Sequence, residues 1–294
     1  MNAVCFLLPI LLPAAPLLAQ NALERRIASI AAEAQGRVSV ACSLAGTGFR
    51  CDLNPHAHPP MQSVFKLPLA IAALDLIRHG KLSLDQPVRF RASDRILPET
   101  NSPLQDRFSA AEVDVPLREL LRLAVSLSDN VAADMVLRAI GGPAAVDAFF
   151  AAGGGFHLED NEAALHRDPA AQYRNWWEPA AAAALLGRFD ERSPLTPEHT
   201  RLLLGWMRDS PTGARRIKGE LPPGAVVWHK TGTSSTADGL TPATNDVGLI
   251  GLPDGRRLAI AIFVTDSKAD QATRERAIAC IARAAYDAAV AAGE

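Results

Sequence analysis

Apolar positions repeat along this chain with two different periods. Leu23, Ile27, Ile30 and Ala34 recur at helical intervals and predict a helix over 22–35. Two strands are predicted next, near 37–44 and 48–53, joined by a Gly-rich turn. The middle of the chain reads as helix, amphipathic or buried, at 64–79, 116–126, 130–140, 143–152, 179–189 and 197–209. After Pro211 the period shortens, with strand-like runs at 225–229, 246–252 and 257–265 before a final helix over about 271–291. Strands near both ends with helices between them predict an α/β (α+β) fold, its sheet completed by the two ends of the chain beside an inserted helical region.

At 294 residues the chain is long enough for two regions around sizeable cores. A formal net charge of −2, with no basic run interleaved with aromatics, gives no footing for nucleic acid or an anionic membrane surface. The first residues are apolar and end in Leu17-x-Ala19, a pattern that predicts a signal peptide over 1–19 and a periplasmic or secreted location. This stretch lacks Lys and Arg, a departure from that pattern, while Pro9, Pro13 and Pro16 argue against a spanning helix. No later segment is apolar enough to span a bilayer.

Of four cysteines, cleavage would remove Cys5. Cys42 and Cys51 flank the predicted hairpin turn. If Gly46-Thr47 is a two-residue turn, they fall directly opposite each other at a non-hydrogen-bonded pair, and in an oxidising compartment a disulfide is expected. Two free thiols are the alternative. Cys280 sits in the Ala-rich final helix, packed there.

Three short motifs carry chemistry. Ser63-Val64-Phe65-Lys66 opens a helix, and separation by three residues puts hydroxyl and amine on one face. A serine needs a base to take its proton, and a neighbouring amine or carboxylate can do so. Ser128-Asp129-Asn130 begins another helix 65 residues later, where such residues are also ordinary caps. Lys230-Thr231-Gly232-Thr233-Ser234 ends an apolar strand that, at a sheet edge, would bind an extended amide along its backbone. Each motif alone has a bland reading; their order and spacing together do not.

Together they resemble the superfamily of penicillin-binding proteins and class A β-lactamases. The likeness extends to Pro60-Met61-Gln62 before Ser63, to Asn245-Asp246-Val247-Gly248 and to Pro253-Asp254-Gly255. It implies an antiparallel sheet of about five strands flanked by N- and C-terminal helices. Residues 20–60 and 213–294 would form an α/β domain and 61–212 an all-α domain carrying Ser63, Ser128 and an Ω loop. It further implies Ser63 as nucleophile with Lys66, and Ser128 as proton relay to the leaving nitrogen. Backbone N–H groups of Ser63 and Thr233 would form the oxyanion hole. Lys230, Thr231 and Thr233 would hold the drug's carboxylate and Asn130 its side-chain amide. Arg216, 14 residues before Lys230, would aim at the carboxylate site, with Arg215 as the alternative. The implied partner is a small β-lactam, with no cofactor, no metal and a monomeric chain.

A β-lactamase must also hydrolyse its acyl-enzyme, which class A does with an Ω-loop glutamate. Glu162-Ala163-Ala164-Leu165-His166, with Gln172-Tyr173-Arg174-Asn175-Trp176 downstream, resembles a divergent branch of class A in which His at this place is usual. This favours Glu162 over Glu159 as general base, with His166 helping to position the water. Asn101 stands where relatives carry an aromatic gatekeeper. Asp160 stands where many place an arginine that ties the loop down, so a loop held differently, looser or larger and favouring bulky cephalosporins, is expected. The rival readings are an exported D-Ala-D-Ala peptidase or penicillin-binding protein, which would stay acylated, and a silent lactam sensor. A zinc lactamase fits poorly, because His56-x-His58 lacks nearby acids and cysteines in a ligand pattern and reads better as a solvated loop.

Overall fold

The computed structural model describes residues 14–96, 100–108, 112–189 and 193–292. Most of the predicted signal therefore lies outside the described residues. Helix α1 (Ala14–Glu33) runs through the predicted cleavage point and leads into strand β1 (Arg37–Leu44). A 3₁₀ turn at Gln62–Phe65 feeds α2 (Lys66–Arg78). Then come β2 (Pro87–Phe90), α3 (Pro103–Arg107), β3 (Val113–Pro116), α4 (Leu117–Ser126), α5 (Asn130–Ile140) and α6 (Pro143–Phe150). Short strands β4 (Phe156–His157) and β5 (Trp176–Trp177) pair with each other and bracket α7 (Glu162–Arg167). Helices α8 (Pro179–Leu186) and α9 (Pro197–Arg208) precede β6 (Val227–Thr233), β7 (Thr241–Gly251), β8 (Arg257–Ser267) and α10 (Gln271–Ala291).

The main sheet is antiparallel in the order β1-β8-β7-β6, which joins the two ends of the chain and leaves β6 at an edge. It has four strands, not about five. Residues 48–53 reach β1 only at isolated bridges, Ser43–Arg50 and Val40–Leu53. The reason is local competition for donors. Thr47 N–H closes a turn onto the Leu44 carbonyl (3.2 Å), Phe49 N–H turns to the Thr47 hydroxyl (3.1 Å), and Cys42 N–H bonds the Asp52 carboxylate. Both bridges keep the expected register, and Cys42 and Cys51 form a disulfide with Cα atoms 5.1 Å apart. Val40 and Leu53 exchange both backbone hydrogen bonds, so the cystine, two residues on, shares their parity rather than the expected non-hydrogen-bonded one.

Strand β8 shows why the sheet sits between two layers. Leu258, Ile260, Ile262 and Val264 join one core with Ile27 of α1 and Ile278 and Ile281 of α10. The alternate residues Ala259, Ala261 and Phe263 join the other core, with α2, α4 and α5. All seven are fully buried, the signature of a strand covered on both faces.

Candidate active site

Apolar residues anchor the nucleophile turn. Met61, Val64, Phe65 and Leu67 are fully buried, leaving Ser63 half-buried at the head of α2. Lys66 Nζ, one turn on, donates to Ser63 Oγ (3.0 Å) and to the Ser128 carbonyl (2.9 Å) and makes a close hydrogen bond to Asn130 Oδ1. Glu162 Oε1 lies 2.8 Å from the same ammonium and 3.4 Å from Ser63 Oγ. A wholly buried ammonium is tolerable only with a counter-charge and full hydrogen bonding, and Glu162 supplies the charge. The hub therefore places one carboxylate within reach of both the nucleophile and its amine.

Ser128 stands in the left-handed region, with φ of 57°. This turn aims its carbonyl at Lys66 and its hydroxyl at Lys230, whose Nζ donates to Ser128 Oγ at 2.9 Å. Asp129 is structural: it caps α5 at Ala132 N and accepts from Ser102 Oγ and Leu104 N, all within 2.8 Å. Asn101 lies beside it and donates to the Leu127 and Ser128 carbonyls (2.9 and 3.0 Å), so it clamps the turn where an aromatic would have stacked. Asn130 Nδ2 donates to Thr100 Oγ1 (2.7 Å).

The Lys230 motif forms the end of edge strand β6, which runs on to Thr233. Burial, and then the Lys66 charge, hold the Lys230 amine well below the usual lysine range. Gly232 is required by close approach: a Cβ there would overlap the Met61 carbonyl oxygen, the backbone just before the nucleophile. Asn245 of β7 secures the same segment, donating to the Pro60 and Met61 carbonyls (2.8 and 3.1 Å). Of the two candidate arginines, Arg216 is buried and its Nη2 donates to Thr233 Oγ1 (2.7 Å), while Nη1 holds the Asn245 and Gly232 carbonyls (2.9 and 3.2 Å). Arg215 faces solvent and pairs with Glu275.

The loop between β4 and β5 presents Glu162, and it is tied rather than loose. Arg174 takes both oxygens of Asp160 (2.8 and 3.1 Å), an ion pair with Asp160 on the acidic side. Asn175 Oδ1 accepts from Glu159 N and Asp160 N, and Tyr173 O–H donates to Asp266 of β8 (2.5 Å). Asp134 of α5 accepts from Glu162 N (2.8 Å), Ala163 N (2.9 Å) and Asn161 Nδ2 (2.9 Å). Burial pushes the Asp134 carboxyl up to about 7, against the pull of those N–H groups. Glu159 points elsewhere, toward Arg174 and His157. His166 is exposed, its ring held by the Glu162 carbonyl (2.8 Å).

Sequence reasoning missed Asp134, because a lone polar residue carries no spacing signal. It also missed Glu178, which meets His56 Nδ1 (2.8 Å) and His58 Nε2 (3.4 Å), an acid distant in sequence but adjacent in space. Among the described residues no group of three or more His, Cys, Asp or Glu side chains is placed to hold a metal.

The sequence pattern of the beta-lactamase enzyme family matches residues 22–289. The extended-spectrum beta-lactamase PER-1 of Pseudomonas aeruginosa is 43% identical over 236 residues, covering 80% of this chain and 76% of that protein. A beta-lactamase structure from Chitinophaga pinensis is similar with a TM-score of 0.88 at 42% identity, over 92% of this chain and 100% of that one. A class A beta-lactamase structure from Bacteroides cellulosilyticus is similar with a TM-score of 0.86 at 29% identity, over 93% and 99% of the two chains.

Proposed function

This chain belongs to the beta-lactamase enzyme family, and from that premise we propose how its residues hydrolyse the β-lactam amide of penicillins and cephalosporins. The observation that carries the reading is the Glu162 carboxylate, 3.4 Å from Ser63 Oγ and 2.8 Å from Lys66 Nζ. Ser63 Oγ adds to the lactam carbonyl carbon as its proton passes into the Lys66–Glu162 pair. The ring C–N bond then breaks, and the nitrogen takes a proton from Ser128, which is replenished with the proton that the Lys66–Glu162 pair took from Ser63, leaving Glu162 a free carboxylate again. Backbone N–H groups of Ser63 and Thr233 stabilise the developing oxyanion. Water next adds to the ester carbon, giving its proton to Glu162, and the Ser63 oxygen leaves with a proton. General-base help of this kind is worth about 10²–10⁴ in rate.

Lys230, Thr231, Thr233 and the buried Arg216 hold the substrate carboxylate, and Asn130 holds the side-chain amide. His166 helps place the water through the Glu162 backbone it grips. Turnover of bulky cephalosporins belongs to the same reading, supported by a relative designated extended-spectrum. The two cores support a division into an α/β part, 20–60 with 213–294, and a second part, 61–212, that is mainly helical rather than all-α because the β2-β3 and β4-β5 pairs lie within it. The Cys42–Cys51 disulfide supports a mature chain outside the cytoplasm. Among the described residues no single helix is long and apolar enough to cross a membrane.

Mass spectrometry of the wild type with penicillin tests the reading against a penicillin-binding protein. Rapid hydrolysis without a lasting adduct is expected, and no adduct or turnover in Ser63→Ala. A wild-type adduct persisting for many minutes would assign the chain to the acylated rival.

A further inference from the structure

Behind Thr231 lies a short line of hydroxyl groups that the chemistry above does not use. Thr212 Oγ1 is 2.7 Å from Thr231 Oγ1 and 2.9 Å from Ser210 Oγ. Ser210 is itself pinned, its carbonyl accepting from Lys218 Nζ at 3.0 Å. The approach is possible because the next residue is Gly213, at φ of 64°; a Cβ there would overlap the Thr231 methyl group. Arg216 packs against the same glycine, so the line ends beside the cationic group already assigned to the carboxylate site.

From this arrangement we propose that Thr212 is a positioning residue for substrate binding, which turns the Thr231 hydroxyl proton toward the substrate carboxylate. The proposal rests on the reading that Thr231 contacts that carboxylate. Each hydroxyl has one proton to give, so the direction of the line is decided at its ends. Ser210 is only 3% exposed, and among the described residues its sole hydroxyl partner is Thr212. Protons running toward Ser210 would leave a buried O–H without an acceptor. Protons running the other way satisfy Ser210 and Thr212 in turn and leave the Thr231 O–H for the anion. Thr231 then accepts from Thr212 while it donates to substrate, and such chains strengthen each member by about 10–30%. The donor is oriented before substrate arrives, so its contribution is to binding rather than to the chemical step.

Steady-state kinetics of Thr212→Val, Thr212→Ser, Thr231→Val and the double variant Thr212→Val/Thr231→Val, on benzylpenicillin and on its methyl ester, test this. Thr212→Val should raise KM for the free acid roughly 3- to 10-fold with kcat within about twofold, the size expected for one hydrogen bond. Thr212→Ser, which keeps the hydroxyl, should restore KM. The double variant should bind no worse than Thr231→Val, because the two act in series. On the ester, Thr212→Val should match the wild type. A raised KM in Thr231→Val beside an unchanged KM in Thr212→Val would overturn the relay alone. An unchanged KM in Thr231→Val would instead remove the carboxylate reading beneath it. An equal loss on acid and ester would make Thr212 merely structural and overturn the proposal.

Discussion

Asp134 controls the backbone on which the proposed general base sits. Its carboxylate accepts three hydrogen bonds from Asn161, Glu162 and Ala163, and replacing it with Asn puts an NH₂ group against some of those donors. Asp134→Asn should lower kcat about 10- to 100-fold, less than the about 10²–10⁴ expected for losing the general base itself, measured by steady-state hydrolysis of a penicillin. The pH dependence has a defined sign. Burial raises this carboxyl from 3.8 to about 7 in the fold, so between those values the folded chain binds more protons than the unfolded one. Its stabilising contribution is full below 3.8 and is lost as pH rises through about 7. Denaturant midpoints should therefore fall for the wild type relative to Asp134→Asn across that window; parallel profiles would contradict the assignment. Ser63, Lys66, Ser128 and Lys230 were legible in the sequence because chemistry fixes their spacing within motifs. Asp134 was not, because one acid in a helix reads as a solvated face until the loop packing against it is known. Arg216 and Arg215 differ only in which way the backbone turns them, and the sequence left that choice open.

The loop carrying Glu162 is held by pairs rather than by propensity. Arg174 and Asp160 join its two arms, and Arg174 also touches Glu159 and Asp168. Its guanidinium is partly exposed and screened by solvent, so the stability at stake is small. The effect on geometry should be larger. Asp160→Ala should lower kcat several-fold with little change in melting temperature, and the reversed pair Asp160→Arg/Arg174→Asp should regain part of it. No recovery in the reversed pair would show that the ion pair does not set the loop. The sequence exposed the missing arginine at 160 but not its replacement 14 residues away, since partnership across a loop has no period. Element boundaries failed for a related reason. The 48–53 strand has the right alternation, yet Thr47 and Asp52 divert the N–H groups of Phe49 and Cys42 from the ladder. Conversely β6 continues through Gly232, which a strand tolerates here because the nucleophile turn packs against it. Gly232→Ala should cost most of the activity while circular dichroism stays close to wild type.

At the scale of the whole molecule, the sheet is one wall of both cores, and the active site lies where β6, α2 and α5 meet. The ends of the chain complete that sheet, as the strand pattern at its two ends anticipated. The Cys42–Cys51 disulfide lies on the β1 side, at the edge opposite β6. Closing a short loop of this kind is worth about 2–3 kcal/mol, and in a chain of this size each kcal/mol moves Tm by about 2–4 °C. The Cys42→Ala/Cys51→Ala variant should melt roughly 5–10 °C lower with unchanged KM for penicillin. A change in KM would mean that the far edge of the sheet reaches the site.

The most direct test of the account is the fate of the acyl-enzyme in Glu162→Gln. Rapid-quench mass spectrometry with penicillin and a chromogenic cephalosporin should find an ester accumulating on Ser63, deacylated about 10²–10⁴ times more slowly than in the wild type. Deacylation at the wild-type rate would contradict the assignment of Glu162 and direct attention to Glu159.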